Sequence, residues 1–438
     1  MEKKQRIAIV GGGITGMACA YALSKKHHVT LYEASHKLGG HADTEFVNDG
    51  GKPIGIDMGF IVLNDRTYPA FSRLLQTIGV TPVRSDMSFC VSRRTDANFF
   101  EYAGHFKGLF GRLSPWLDKQ YRSMLADLIR LYRQGQKDSY VSHKFSHMSL
   151  QQYVENLRLG EEIYEFHIKP MVAAIWSTPH RDVGTFPAQA FLDFFRHHGL
   201  FHFFDRPTWY TIEGGSQAYV SRLSKHIDQI QLNMKVHDVI RDPNGHVVVR
   251  AGGISTTYDI VVLAVHADNI LSMLGDSALD AEKKLLAAVQ FSSNKAVLHT
   301  DTSQMPYYKN VWSSWNVLQH GNHSGVSLTY WMNKLQPLRT NKNYFVTLNP
   351  SSSLDHSQIC AQRTYKHPLM NHAMRSLQEN LSDLQGHGGI YYGGAWSGYG
   401  FHEDGAEAGF AIAARIGSAP EWWHQLQAKS SARKHVGS

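Results

Sequence analysis

The chain has 438 residues, and 44 Lys+Arg against 37 Asp+Glu give a formal net charge of +7. At about 150 residues per domain this length predicts two or three domains. Hydrophobic residues at 42% and charged residues at 18% allow a large core and exclude wholesale disorder. No run reaches the roughly 18 apolar residues of a membrane span, and Met1 to Arg6 is polar, unlike a signal peptide. Three cysteines, Cys19, Cys90 and Cys360, make no disulfide framework and share no metal-ligand spacing, which predicts a reducing, cytoplasmic setting. The cations are scattered, so a nucleic-acid partner is not expected.

The first forty residues carry the strongest pattern. Ile7 to Val10 reads as a buried parallel strand. Gly11-Gly12-Gly13-Ile14-Thr15-Gly16 follows, a G-x-G-x-x-G turn opening a helix rich in Ala and Leu. His28 to Tyr32 reads as a second strand, with Glu33 at its end. In such a unit Gly11 makes the tight turn, Gly13 lets a pyrophosphate approach the backbone, and Gly16 lets helix and strand pack closely. Glu33 is placed to accept ribose hydroxyls and disfavours a 2′-phosphate. The alternative is a tight strand–helix turn that binds nothing.

Glu33-Ala34, then Lys37-Leu38-Gly39-Gly40-His41, resembles the second diphosphate loop of the FAD-dependent amine oxidase and phytoene desaturase superfamily. The resemblance runs on through Asp57-Met58-Gly59-Phe60, Thr211 to Ser216, the strand with Val236, the strand ending at Ala264, and Tyr391 to Gly409. It implies an α/β fold: a Rossmann-type FAD-binding domain of the glutathione-reductase-like, amine oxidase type, with a discontinuous α+β cap. The implied segments are 1–70, 211–275 and 389–420 for the cofactor domain, 71–210 and 276–388 for the cap, and 421–438 as a tail, disordered from Ala428. It also implies FAD contacts from Gly11, Gly13, Ile14, Thr15, Gly16, Glu33, Ala34, Lys37, Gly39, Gly40, His41, Met58, Gly59, Phe60, Val236, Ala264, Gly394, Trp396, His402, Glu403, Asp404 and Gly405. No cysteine lies near the closing motif, so the flavin is expected to be noncovalent. Ala395-Trp396 departs from the family, which often has an acid there for the ribityl chain.

Gly59 to Asn64, Ala174 to Pro179, Tyr330 to Gln336 and Gly400 to Gly405 together resemble a bacterial subgroup. Its members are commonly found beside cyclopropane-fatty-acid-synthase-type methyltransferases. This implies oxidation or desaturation of an apolar, modified acyl chain by hydride transfer to flavin N5, with such a methyltransferase as a partner. Lys295 falls near the family's lysine that holds water by N5, and Trp176 falls on the substrate side; these are the catalytic candidates. Rival readings are amine oxidation in an aromatic cage of Tyr330 with Trp331 or Trp396, nonredox isomerisation, and an FAD-bearing partner subunit of a lipid methyltransferase.

In the cap, Leu117, Tyr121, Met124, Leu125, Leu128 and Ile129 recur at helical spacing, with Lys119, Arg122, Arg130 and Arg133 on the remaining faces. A helix packed on its own core is the expected reading; peripheral contact with the inner membrane face, aided by Phe106, Leu109 and Phe110, is the alternative. Phe191 to Trp209 reads either as core or as the lining of an acyl tunnel. The pairs His143/His147 and His198/His202 lack further ligands, so no metal is expected.

Overall fold

The computed structural model describes residues 4–94, 99–104, 119–141, 144–176, 180–202, 204–320, 326–350 and 354–436. A five-stranded parallel sheet is assembled from distant parts of the chain, in the order Gln229–Gln231, His28–Tyr32, Arg6–Val10, Ile260–Leu263, Ile390–Tyr392. Ile7, Ala8 and Ile9 of the middle strand are fully buried, as apolar runs covered on both faces must be. On one face lies helix Ile14–Leu23, buried at every residue. Helix His402–Arg415 crosses it so closely that a Cβ on Gly409 would stand 2.5 Å from the Thr15 carbonyl oxygen. The other face is covered by the antiparallel strands Val236–Arg241, Val247–Ala251 and Ile254–Tyr258.

A second, seven-stranded sheet has the order Ile359–Pro368, Phe291–His299, Phe345–Leu348, Val326–Trp331, Trp315–His320, Phe89–Arg94, Phe99–Ala103. Its pairs are antiparallel except Trp315–His320 with Phe89–Arg94. Helices Lys119–Asp138, Leu150–Asn156, Lys169–Trp176 and Ala188–His197 share a core with it. This is the α/β unit with an α+β cap that the motif order implies.

Three expectations are corrected. Helix Pro69–Thr77, assigned to the cap from residue 71, buries Phe71, Leu74 and Leu75 in the same core as helix Ile14–Leu23. Helix His372–Leu384, also assigned to the cap, buries Met374 and Leu377 under the parallel sheet. Both are amphipathic, and spacing alone does not say which layer receives the apolar stripe. The expected disordered tail is helical over Glu421–Val436. Trp422 and Trp423 pack on Phe410 with ring centroids 4.8 and 5.7 Å away, and the following Gln, Ala, Lys and Arg are good helix formers.

Helix Lys119–Asp138 turns Tyr121, Met124, Leu131 and Tyr132 into the cap core, so its apolar face is already covered. Phe106 to Phe110 and His143 lie outside the described residues. No described helix is long and apolar enough to cross a membrane.

The Gly409 crossing yields a test. Gly409→Val should force the two helices apart and cost about 1–3 kcal/mol, read as an earlier urea unfolding midpoint. An unchanged midpoint would show that the helices do not meet there.

Candidate functional site

The opening turn depends on absent side chains. Gly11 sits at φ 109°, and a Cβ there would lie 2.3 Å from the Ala264 carbonyl oxygen. A Cβ on Gly16 would lie 1.9 Å from the Gly11 oxygen. Gly13 differs: it is extended at φ −74°, and a Cβ there would meet nothing within 4 Å. Gly39 donates its N–H to Gly12 O at 2.9 Å, and a Cβ on Gly40 would touch Gly13 Cα at 3.2 Å. Two glycine loops are thus bonded side by side, with open space in front of Gly13 and the first N–H groups of a helix beside it. That is a cradle for a diphosphate.

Glu33 ends the neighbouring strand. Its Oε2 accepts from Gly12 N–H and its Oε1 from Ser35 N–H, both at 2.8 Å. The carboxylate is oriented by backbone and keeps lone pairs for ribose hydroxyls. Ala34 lies in this turn, which Asn233 and Met234 tie down by backbone bonds to Ser35 and Glu33. Val236 follows, buried in the core beneath the sheet with Val10 and Tyr32.

The closing segment meets the opening helix directly, for a Cβ on Gly405 would lie 2.6 Å from Ile14 Cγ2 and 3.0 Å from Thr15 Oγ1. Its side chains do different work from that implied. Trp396 is buried and donates Nε1–H to Val265 O at 2.9 Å, with Gly394 against its ring. Glu403 accepts from Ala70 and Phe71 N–H at 2.6 and 2.8 Å, capping helix Pro69–Thr77; burial pushes its carboxyl pKa up. Asp404 accepts from Phe401 N–H at 2.7 Å, capping its own helix, and burial pushes its pKa up to about 7. His402 stacks on Phe60 at 3.8 Å and pairs its Nε2 with Tyr219 OH at 2.6 Å. An acidic run at a helix start reads as ligand contacts, but here both carboxylates are taken by backbone amides of the protein itself.

The third segment is Met58 to Phe60. Met58 is buried with its N–H on Asp43 O, and Phe60 donates its N–H to His41 O at 2.7 Å. A Cβ on Gly59 would lie 2.2 Å from that same oxygen. The His41 ring lies 5.0 Å from Tyr365, 5.3 Å from His367 and 6.0 Å from His266. Its Nε2 is buried without a partner. Burial lowers its pKa to about 3, with His367, His266 and His402 adding to the effect. Lys37, expected on the diphosphate, instead bonds Asp43 at 2.5 Å, and Asp43 also holds Arg363 and Tyr365.

Lys295 is exposed on strand Phe291–His299. It borders a depression of about 500 Å³ with Asn349, His356 and Gln362. The adjacent Asn294 is buried and holds His367 Nδ1 at 2.9 Å. Strand alternation therefore turns Lys295 away from the histidines beside the glycine loops. Trp176 is buried against Phe186 and Phe194 at 4.5 and 4.6 Å. Phe194 in turn stacks on Phe401, the residue before the closing helix, at 5.1 Å. The three aromatic residues named for the rival amine reading lie apart. Tyr330 packs on Trp315 in the cap core, Trp331 faces Trp312 on the other side of its strand, and Trp396 lies in the core under the parallel sheet.

Several contributors escaped the sequence reading. Asp57 is fully buried, accepts from Thr44 Oγ1, Ser216 N–H and Oγ, and Gln336 Nε2, and has its pKa raised by burial to about 6. Phe401 stood within the Gly400 to Gly405 motif without a role of its own, and Tyr219 and His367 have no local pattern that marks them. His266 does, since it closes the apolar run of a returning strand. Among the described residues no group of three His, Cys, Asp or Glu could hold a metal.

The open space at Gly13, the paired glycine loops and the unpartnered His41 Nε2 fit FAD. Gly13→Val has an allowed backbone and room inside the protein, so it should fold normally and purify without flavin. Normal flavin absorbance in that variant would displace the diphosphate from this loop.

The buried imidazoles set a pH dependence. Burial lowers the pKa to about 3 in His41 and His402, and to about 4 in His167, His198, His299 and His367. Between these values and the ordinary value near 6.5 the unfolded chain binds more protons, so stability is lost as pH falls through about 6.5. Asp57, Glu403 and Asp404, raised when folded, oppose this. Six imidazoles against three carboxyls predict a lower melting midpoint of flavin-free protein at pH 5 than at pH 7. A higher one would show that these histidines are charged in the fold.

Residues 14–335 match the family model described as flavin containing amine oxidoreductase. No curated protein matches the chain in sequence. Among solved structures, putrescine oxidase bound to putrescine is 16% identical, with a TM-score of 0.69 over 94% of this chain and 99% of that one. Cyclohexylamine oxidase from Brevibacterium oxydans IH-35A is also 16% identical, with a TM-score of 0.66 over 94% and 100%. A CLA-producing fatty acid isomerase from P. acnes is 14% identical, with a TM-score of 0.65 over 95% and 100%. At these identities the likeness is one of fold.

Proposed function

The chain belongs to the flavin containing amine oxidoreductase family, and we propose that, within it, this FAD-dependent oxidoreductase oxidises or desaturates an apolar, modified acyl chain. The carrying observation is the aromatic wall Trp176–Phe194–Phe401, which runs from the cap core to the start of the closing helix. Such a wall binds hydrocarbon by excluding water and offers no carboxylate to an ammonium group. The dispersal of Tyr330, Trp331 and Trp396 among three clusters speaks against amine oxidation.

FAD, when bound, supplies a hydride acceptor at ring atom N5. The chain's part is to hold and orient. The glycine loops and the start of helix Ile14–Leu23 receive the diphosphate, and Glu33 the ribose. The start of helix His402–Arg415 lends its positive dipole end to the redox site. Trp176, Phe194 and Phe401 place the acyl C–H bond and keep water out. Attachment is noncovalent in this reading: Cys19 and Cys90 are buried in their own cores, and Cys360 is exposed on a cap strand. A cyclopropane-synthase-type methyltransferase is the partner that would supply such a chain.

Anaerobic mixing tests the choice of substrate. Methylated or cyclopropane acyl lipids should bleach the flavin band, and putrescine or other amines should leave it yellow. Bleaching by amines alone would replace this reading with amine oxidation. Turnover of the lipid without bleaching would indicate isomerisation.

A further inference from the structure

One corner of the cap carries large apolar side chains in water. Past the end of helix Lys119–Asp138 the chain presents Tyr140 and Val141, 67% and 45% exposed, and the loop after helix Ala188–His197 presents Phe204, fully exposed. The two segments touch. Gln136 Nε2 and His202 Nε2 are 3.3 Å apart, and the Phe201 ring lies 2.6 Å from where a Cβ on Gly135 would stand. The Arg196 guanidinium covers the Tyr140 ring at 5.4 Å.

Exposed Lys137 and Lys144 flank Tyr140 and Val141 in the chain. The nearby acids are occupied: Asp193 faces Arg196 at 3.5 Å, Asp205 binds Arg66 at 2.5 Å, and Asp138 is buried under Tyr153 OH. Lys137 and Lys144 have no carboxylate partner among the described residues, whereas Arg206 donates Nε–H to His202 O at 2.9 Å and hydrogen-bonds the Tyr132 side chain. Exposed apolar side chains with exposed lysines close by in the chain are complementary to a surface that is negative outside and apolar beneath. A protein partner with the same complementarity would need a matching shape; a bilayer needs none.

We propose that this corner docks the enzyme on an anionic phospholipid bilayer, with Tyr140, Val141 and Phe204 entering the interface and Lys137 and Lys144 meeting lipid phosphates. The assignment stands apart from the substrate reading, although the two agree. Directly behind Phe204, Phe201 packs on Phe195 at 5.3 Å, and the same helix carries Phe194 to Phe401.

Flotation of the flavoprotein with vesicles tests it. Protein should float with phosphatidylglycerol–phosphatidylcholine vesicles and not with phosphatidylcholine alone. The double variant Tyr140→Ser, Phe204→Ser should partition about tenfold less or weaker still. Lys137→Gln should partition about fivefold less. All three positions are exposed, so flavin absorbance and melting midpoint should stay at wild-type values and mark the variants as folded. Wild-type protein that ignores both vesicle types overturns the proposal, as does a double variant that floats like wild type. A protein complex lost in the double variant, with no vesicle binding by wild type, would make the corner a protein interface instead.

Discussion

Two helices from opposite ends of the chain start at the same edge of the parallel sheet, and they do so because the closing helix presents glycines, not side chains, to the opening one. Gly16 rests on the Gly11 oxygen, Gly405 on Ile14 and Gly409 on Thr15 O. A helical glycine costs about 1 kcal/mol relative to alanine. The return is a backbone approach that no other residue permits. With it, both positive helix ends face one region of space, which suits a cofactor with a diphosphate at one end and a ring that gains negative charge at the other. A single Cβ in this contact would separate the ends and dissolve the site.

Buried acids act as the joints of the molecule. Glu403 spans 333 residues of sequence to cap the helix that begins at Pro69. Asp57 gathers Thr44 and Ser216 on the cofactor side and Gln336 on the cap side. Asp43 collects Lys37, Arg363 and Tyr365. Each carboxylate leaves water and is repaid by donors from several segments, so each joint holds only when all its segments are in place. The cap is thereby registered against the glycine loops, and the histidines at 41, 266 and 367 meet beside them.

Another part of the cap is apolar. Trp176, Phe194 and Phe401 form a continuous wall, and the helix that bears Phe194 leads outward toward the exposed Phe204. Buried imidazoles kept neutral by their surroundings add hydrogen-bonding capacity without a fixed charge.

Glycine spacing, the flanking apolar strands and the acid at residue 33 were enough to read the first parallel strands, the opening turn and a dinucleotide from the chain alone; the flavin came from the motifs that follow. Those features are local: a turn that needs φ above zero, or a strand buried on both faces, leaves its mark in adjacent residues. Side-chain destinations are not local. Glu403 and Asp404 read as ligand contacts until the tertiary structure delivered the amides they cap. Lys295 was a catalytic candidate from its place on the strand, but the direction its side chain takes is set by strand alternation. The helices at 69 and 372 changed layers because an apolar stripe states that it will be buried, not against what. Which neighbour a side chain meets is set by segments hundreds of residues away, and only the packed molecule brings those together.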